Sequence, residues 1–392
     1  MKIKKLKFKY GGSPSSIPLE IDTKKIIIFV GANNSGKSLA LREIESLCCD
    51  KRDVKYKIMD EYGIDIDFPK DPEQAWNLLL QFEGKHDGTR GENPPYRYMQ
   101  QVVFGNRTPQ RGGHTEKLFR EFYAKAVSDN NIPHLCSELA RFCTINLDTV
   151  SRITDLIATQ PFESTSKNHL ASLYTDQNQR EYLRELIVSA FKNHFVSYFV
   201  IEKNGNDLKI KLSPTKPRNV HEEQSLESIS KEFLSKAEYI EILGDGMKAY
   251  VGLLSAIVGL PHKIILVDEP ECFLASYLQN NLGADIIKAS MKKDASLVVS
   301  THSPDFLMGI LETSVKDTTI LRFDYENSIP TVKSLDPNLL ITLVNDPLLR
   351  CSDSLDALFH KAAIVSESDA DKVFYKEMNR RLAGTPYTRQ VV

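Results

Sequence analysis

The stretch Lys24–Leu47, KKIIIFVGANNSGKSLALREIESL, decides how the chain folds. Lys25 to Val30 is an apolar, β-branched run suited to a buried strand, and a helical pattern starts at Lys37. Between them, Gly31-Ala32-Asn33-Asn34-Ser35-Gly36-Lys37-Ser38 fits G-x-x-x-x-G-K-[ST] in full. Gly31 and Gly36 let the backbone curl so that amide groups point inward at phosphate oxygens. Lys37 suits the β- and γ-phosphates, and the Ser38 hydroxyl suits Mg²⁺. The helix N-terminus, with Leu39 next in line, adds its partial positive charge. A strand before and a helix after set this apart from a chance glycine turn. Gly31 through Leu39 are therefore expected to hold ATP with Mg²⁺.

The second half of such a site stands far downstream in His262–Gln279, HKIILVDEPECFLASYLQ. Ile264 to Val267 reads as a strand with Asp268 and Glu269 at its end, where a parallel α/β sheet places ligand groups. Asp268 suits Mg²⁺ through water, and Glu269 suits a general base that takes a proton from the attacking water. Ala295–Leu307, ASLVVSTHSPDFL, gives another strand ending at Thr301-His302-Ser303. His302 can hydrogen-bond a phosphoryl group or orient the water. Upstream, Gly244 and Gly246 flank Asp245 ahead of a long apolar helix. That is either an ordinary helix start or a second anion-binding helix end.

Composition sets the class. The chain has 392 residues, net charge −2, 41% hydrophobic and 26% charged residues, so it is a globular protein of two or three domains. With no overall positive charge, any nucleic-acid surface must be local. Five lysines crowd MKIKKLKFKY at the start, read as an edge strand with a solvated face. The six cysteines form no CxxC pair, which points to free thiols in a reducing cytoplasm. No run is long enough to span a bilayer, and the lysine-rich start is unlike a signal peptide, so no membrane role is expected.

In this order the motifs GANNSGKS, LGDGMK, DEPE and THSP resemble the ABC-type ATPases. The nearest branch contains the SMC-type ATPases and the overcoming-lysogenization-defect (OLD) nucleases, and the likeness covers roughly residues 1–345. The resemblance implies an α/β ABC-type head: a mostly parallel sheet with helices and an N-terminal antiparallel β-subdomain. It implies ATP sandwiched between two heads of a homodimer, with Gly244, Gly246 and Lys248 facing the partner's nucleotide. It also implies anti-phage defence, with nucleic acid and an effector or regulatory protein as further partners. Leu274-Ala275-Ser276 departs from the leucine-His-Pro common in that branch. Gln100, Gln101 and Gln110 are all candidates for the glutamine loop, and Arg107 for a phosphate or partner contact.

Residues 1–113 are read as the N-lobe, 114–240 as a helical insertion, 241–345 as the C-lobe and 346–392 as a connector with a further segment. The insertion's expected helices are TEKLFREFYAKAVSDN, PHLCSELARFCTI, NLDTVSRITDLIAT and NQREYLRELIVSAFKNHF. A β-hairpin is expected to turn at Asn204-Gly205, and Pro214–Ser228 to be a linker or mobile loop. No sustained heptad marks a long coiled-coil arm, which disfavours an SMC-type DNA-repair ATPase. The final stretch, KAAIVSESDADKVFY from Lys361, resembles the first βα unit of a TOPRIM nuclease domain. By that resemblance Glu367 matches a metal-binding glutamate, while Ser368 replaces the usual glycine. The bland alternative is an acidic first turn of a helix. Nuclease activity is expected only where the remaining carboxylates of such a domain are present.

Overall fold

The computed structural model describes residues 1–49, 54–83, 97–102, 104, 111–162, 168–192, 198–346, 354–360 and 366–382. The chain enters through β1 (Lys2–Phe8), β2 (Glu20–Asp22), β3 (Ile26–Val30), α1 (Lys37–Cys48) and β4 (Met59–Asp67). It later supplies β5 (Thr144–Leu147), α2 (Asp245–Gly259), β6 (Ile264–Asp268), α3 (Ser276–Lys292), β7 (Ser296–Thr301) and α4 (Pro304–Ser314). The antiparallel pair β8 (Thr318–Glu326) and β9 (Ile329–Leu335) follows.

Among the described residues, six strands form the central sheet in the order β9-β8-β3-β7-β6-β5. All neighbours are parallel except the β8–β9 edge pair. Register puts Val30 beside Thr301, and Asp268 beside Ser300. Gly31, Asp268 and His302 therefore emerge at one edge, the carboxyl ends of the parallel strands.

The unbroken apolar run of β3 is explained by burial on both faces. Ile26, Ile28 and Val30 pack into one core with α2, α3 and α4. Ile27 and Phe29 pack into another with α1, β1 and β4. Phe29 lies 4.7 Å, ring to ring, from Phe323 of β8. A Phe→Ala change at such a core position typically costs about 3–5 kcal/mol.

Several expectations need correction. The lysine-rich β1 is the middle strand of an antiparallel sheet ordered β2-β1-β4, not an edge. Its lysines face acids: Lys5 and Lys7 pair with Glu20 at 2.7 and 3.2 Å, and Lys4 with Asp67 at 3.5 Å. The block 114–240 is also less helical than its pattern suggested. Helices form over Glu116–Ser128 and Gln177–Phe191, and PHLCSELARFCTI is helical without a gap from Ile132 to Cys143, with a π-helical turn at Cys136–Ala140, before its last two residues start β5. β5 lies against β6, so this block contributes a strand to the central sheet.

NLDTVSRITDLIAT forms turns instead of a helix. The Asp148 carboxylate accepts from Ser151 N at 2.9 Å, and the next bonds mix spacings, Ile153 N to Val150 O and Leu156 N to Ser151 O. In the hairpin Tyr198–Asn204/Asp207–Ser213, Asn204 pairs with Asp207, so the two-residue loop is Gly205-Asn206. Pro214–Ser228 contains the helix Val220–Gln224, anchored because Glu223 is buried against Arg180 and Arg184. Arg107, Gln110, Cys351 and the expected strand Ala362–Val365 lie outside the described residues. Cys48, Cys49, Cys136, Cys143 and Cys272 form no disulfide with one another. Among the described residues no helix is long and apolar enough to cross a membrane.

Candidate functional site

The loop between β3 and α1 is a curled cradle. Gly31 has φ 144° and Gly36 φ 97°, and a Cβ on Gly31 would stand 2.2 Å from the Phe323 carbonyl oxygen. A side chain fits neither conformation, which accounts for both glycines of the motif. Asn34 also takes a left-handed conformation, φ 62°, which asparagine tolerates. Asn33 and Asn34 face solvent, Ser35 is buried, and Leu39 packs at the rim of the core under α1. Lys37 folds over the loop, its Nζ donating to Gly31 O and Ala32 O at 2.8 Å each. Burial lowers the Lys37 pKa, opposed by Glu269, Glu271 and Asp268 nearby.

Those carboxylates come from β6 and the turn after it. Ser38 Oγ donates to Asp268 Oδ1 at 2.9 Å, and the Ser300 hydroxyl donates to the same oxygen. These are hard oxygen donors of the kind Mg²⁺ takes. Glu269 N donates to Ser300 O at 3.0 Å, and Glu269 itself has φ 46°. His302, just past β7, sets Nδ1 3.2 Å from Glu271 Oε1 and 3.4 Å from Glu269 Oε1. The close approach of His302 to Glu269 pulls the glutamate pKa down and pushes the histidine up. Glu269 is thus ionised at neutral pH, as a base must be.

Two residues of this site had escaped the sequence reading. Glu271 is buried and collects Thr301 Oγ1 at 2.8 Å and His302 N at 2.7 Å, which fixes the turn carrying His302. Burial raises its pKa. Its place two residues beyond Glu269 was the available signal. Arg152, wholly buried, donates through Nη2 to Glu269 O at 2.7 Å and Asp268 O at 3.2 Å. It sits in the stretch misread as a helix and carried no signal.

The remaining expected site residues stand elsewhere. Gly244 and Asp245 face solvent at the start of α2, and Lys248 Nζ pairs with Asp245 at 3.0 Å. Gly246 abuts the Phe273 carbonyl. Gln101 is buried with its amide 3.5 Å from Cys49 Sγ, beyond the far end of α1 from the phosphate loop. Gln100 is exposed on Arg97–Gln100. Glu367 is exposed beside Ser368, whose hydroxyl accepts from Asp371 N at 3.3 Å and caps Asp369–Leu382. A helix starting after Glu367 is common to both readings of this segment. Among the described residues no group of three or more His, Cys, Asp or Glu side chains is arranged to hold a metal.

Residues 148–308 match the family described as "AAA domain, putative AbiEii toxin, Type IV TA system". That span contains Arg152, Asp268, Glu269 and His302 and leaves out Lys37 and Ser38. No curated protein matches the chain. Among solved structures, an SMC head bound to the C-winged helix domain of ScpA overlaps at TM-score 0.48 with 14% identity, covering 87% of this chain and all of the other. The SMC head domain from Thermotoga maritima overlaps at TM-score 0.40 with 15% identity, covering 86% and 99%. An SMC head with an extended coiled coil, bound to a ScpA domain derived from Pyrococcus furiosus, overlaps at 0.41 with 13% identity, covering 88% and 99%.

Proposed function

We propose that the chain binds ATP with Mg²⁺ and hydrolyses it, in the manner of an ABC-type head. The observation that carries this reading is the hydrogen bond from Ser38 to Asp268, which joins the two halves of the site across 230 residues. The loop amides and Lys37 hold the β- and γ-phosphates. Ser38 and Asp268 would hold Mg²⁺, which would supply positive charge against the phosphates. Glu269 accepts the proton of the attacking water, and His302, kept in place by Glu271, hydrogen-bonds the phosphoryl group. On binding, Lys37 exchanges its two carbonyl acceptors for phosphate oxygens. Titration calorimetry with Mg²⁺·ATP and a phosphate-release assay test this reading. Wild type is expected to bind and turn over, and a folded chain that binds no nucleotide would overturn it.

The finer reading is that two heads pair around ATP through Gly244, Gly246 and Lys248, and that this gates an effector. The exposure of Gly244 and Asp245 at the start of α2 supports it. The order of Glu367, Asp369 and Asp371 after the ATPase residues supports a TOPRIM nuclease as that effector. The description of the matched family as a putative toxin of a type IV TA system is in keeping with a defence role. The second reading is a regulatory ATPase sensor that controls a separate effector protein.

A further inference from the structure

Glu269 holds an unusual backbone conformation. Its φ of 46° is left-handed, and Pro270 follows it, restricting the preceding residue further. Such conformations persist only where the surroundings over-determine them, and they concentrate at functional sites. Here the Glu269 N–H is bound to Ser300 O, and the carbonyl is bound by Arg152 Nη2 at 2.7 Å. The same Nη2 reaches Asp268 O at 3.2 Å, and Thr149 Oγ1 also donates to that carbonyl at 3.3 Å. One guanidinium thus grips two consecutive carbonyls across a strained bend.

The backbone of Arg152 is held from the other side. A Cβ on Gly252, in the middle of α2, would stand 2.6 Å from Arg152 O, so the turn lies closer to α2 than a side chain would permit. Arg152 therefore spans α2 and the end of β6. Its Nε and Nη1 are buried without an acceptor among the described residues, and burial weakens its hold on the proton. A hydrophobic side chain would fill this space at less cost. A buried cation with unpaired donors is a poor stabilising device, whereas its paired donor fixes the geometry of the general base.

We infer that Arg152 is a positioning residue that holds Glu269 in its catalytic conformation and transmits the placement of α2 to it. The inference rests on the proposed ATPase reading. When the start of α2 is drawn toward a partner, the Gly252–Arg152 contact passes the shift to the Glu269 carbonyl.

The test compares wild type with Arg152→Ala and Arg152→Lys, measuring melting temperature, Mg²⁺·ATP affinity and turnover. Arg152→Ala is expected to keep affinity and melting temperature while kcat falls about 10²-fold, the usual cost of a catalytic group misplaced by an ångström. Arg152→Lys, with one ammonium in place of the fork, is expected to fall between. Low-millimolar guanidinium, far below denaturing concentrations, is expected to raise turnover of Arg152→Ala and leave wild type unchanged. An unchanged kcat, or kcat falling only together with affinity and melting temperature, would overturn the inference. Wild type without turnover would instead overturn the ATPase reading. A crystal structure of Arg152→Ala then decides: Glu269 leaving its left-handed conformation supports the role, and Glu269 staying there refutes it.

Discussion

Ser38 Oγ and Asp268 Oδ1 meet at 2.9 Å although 230 residues separate them. The contact follows from sheet order, since β7 alone lies between β3 and β6. It brings the hydroxyl at the start of α1 beside the carboxylate at the end of β6.

Lys37→Ala should abolish ATP binding, because the variant lacks the charge that faces the β- and γ-phosphates. Equilibrium titration with a fluorescent ATP analogue checks this, with circular dichroism confirming the fold. Wild-type affinity in a folded variant would refute the assignment of the phosphate loop.

Most of this half of the site was legible in the sequence, because short-range rules govern it. A strand, a glycine-bounded loop and a helix start lie within Ile26–Cys48, and each residue type has one physical use there. Asp268, Glu269 and His302 were legible for the same reason, each standing at a strand end. Arg152 was not. Its side chain acts through contacts to residues more than a hundred positions away, and the local pattern around it suggests an amphipathic helix. β5 was hidden likewise, since four residues after a helical stretch become a strand only by pairing with β6. The lysines of β1 misled because their acidic partners on β2 and β4 lie outside any local window.

Glu223→Ala should destabilise the fold by about 3–5 kcal/mol, because it leaves two buried guanidiniums without their shared carboxylate. Replacing all three, Arg180→Met, Arg184→Met and Glu223→Leu, should cost much less. Urea unfolding of both variants measures the difference. Equal losses would show that packing, not charge pairing, holds Val220–Gln224 in place.

His169 and His262 are wholly buried, and burial pushes their pKa values down to about 4 and about 3. The folded chain therefore resists protonating them, while the unfolded chain takes up protons below about pH 6.5. Their contribution is full above that value. It is lost as pH falls toward the folded values. The urea midpoint should drop between about pH 7.5 and about pH 5, and less steeply in His262→Leu. An identical slope in the variant would contradict the assignment of a buried neutral imidazole.

Glu367 lies apart from the ATPase residues in sequence and faces solvent. Glu367→Ala should leave ATP turnover nearly intact. Phosphate release by the variant and by wild type in parallel checks this, and a large loss of turnover in the variant would refute it.

Glu269→Gln asks whether Glu269 acts as the general base of an ATPase. The amide keeps the shape of the side chain but cannot accept the water's proton, so ATP binding should persist while turnover falls about 10²–10⁴-fold. Single-turnover phosphate release with bound ATP measured in parallel is the decisive experiment. Tight binding with turnover nearly abolished is the predicted result, and turnover close to wild type would contradict the account.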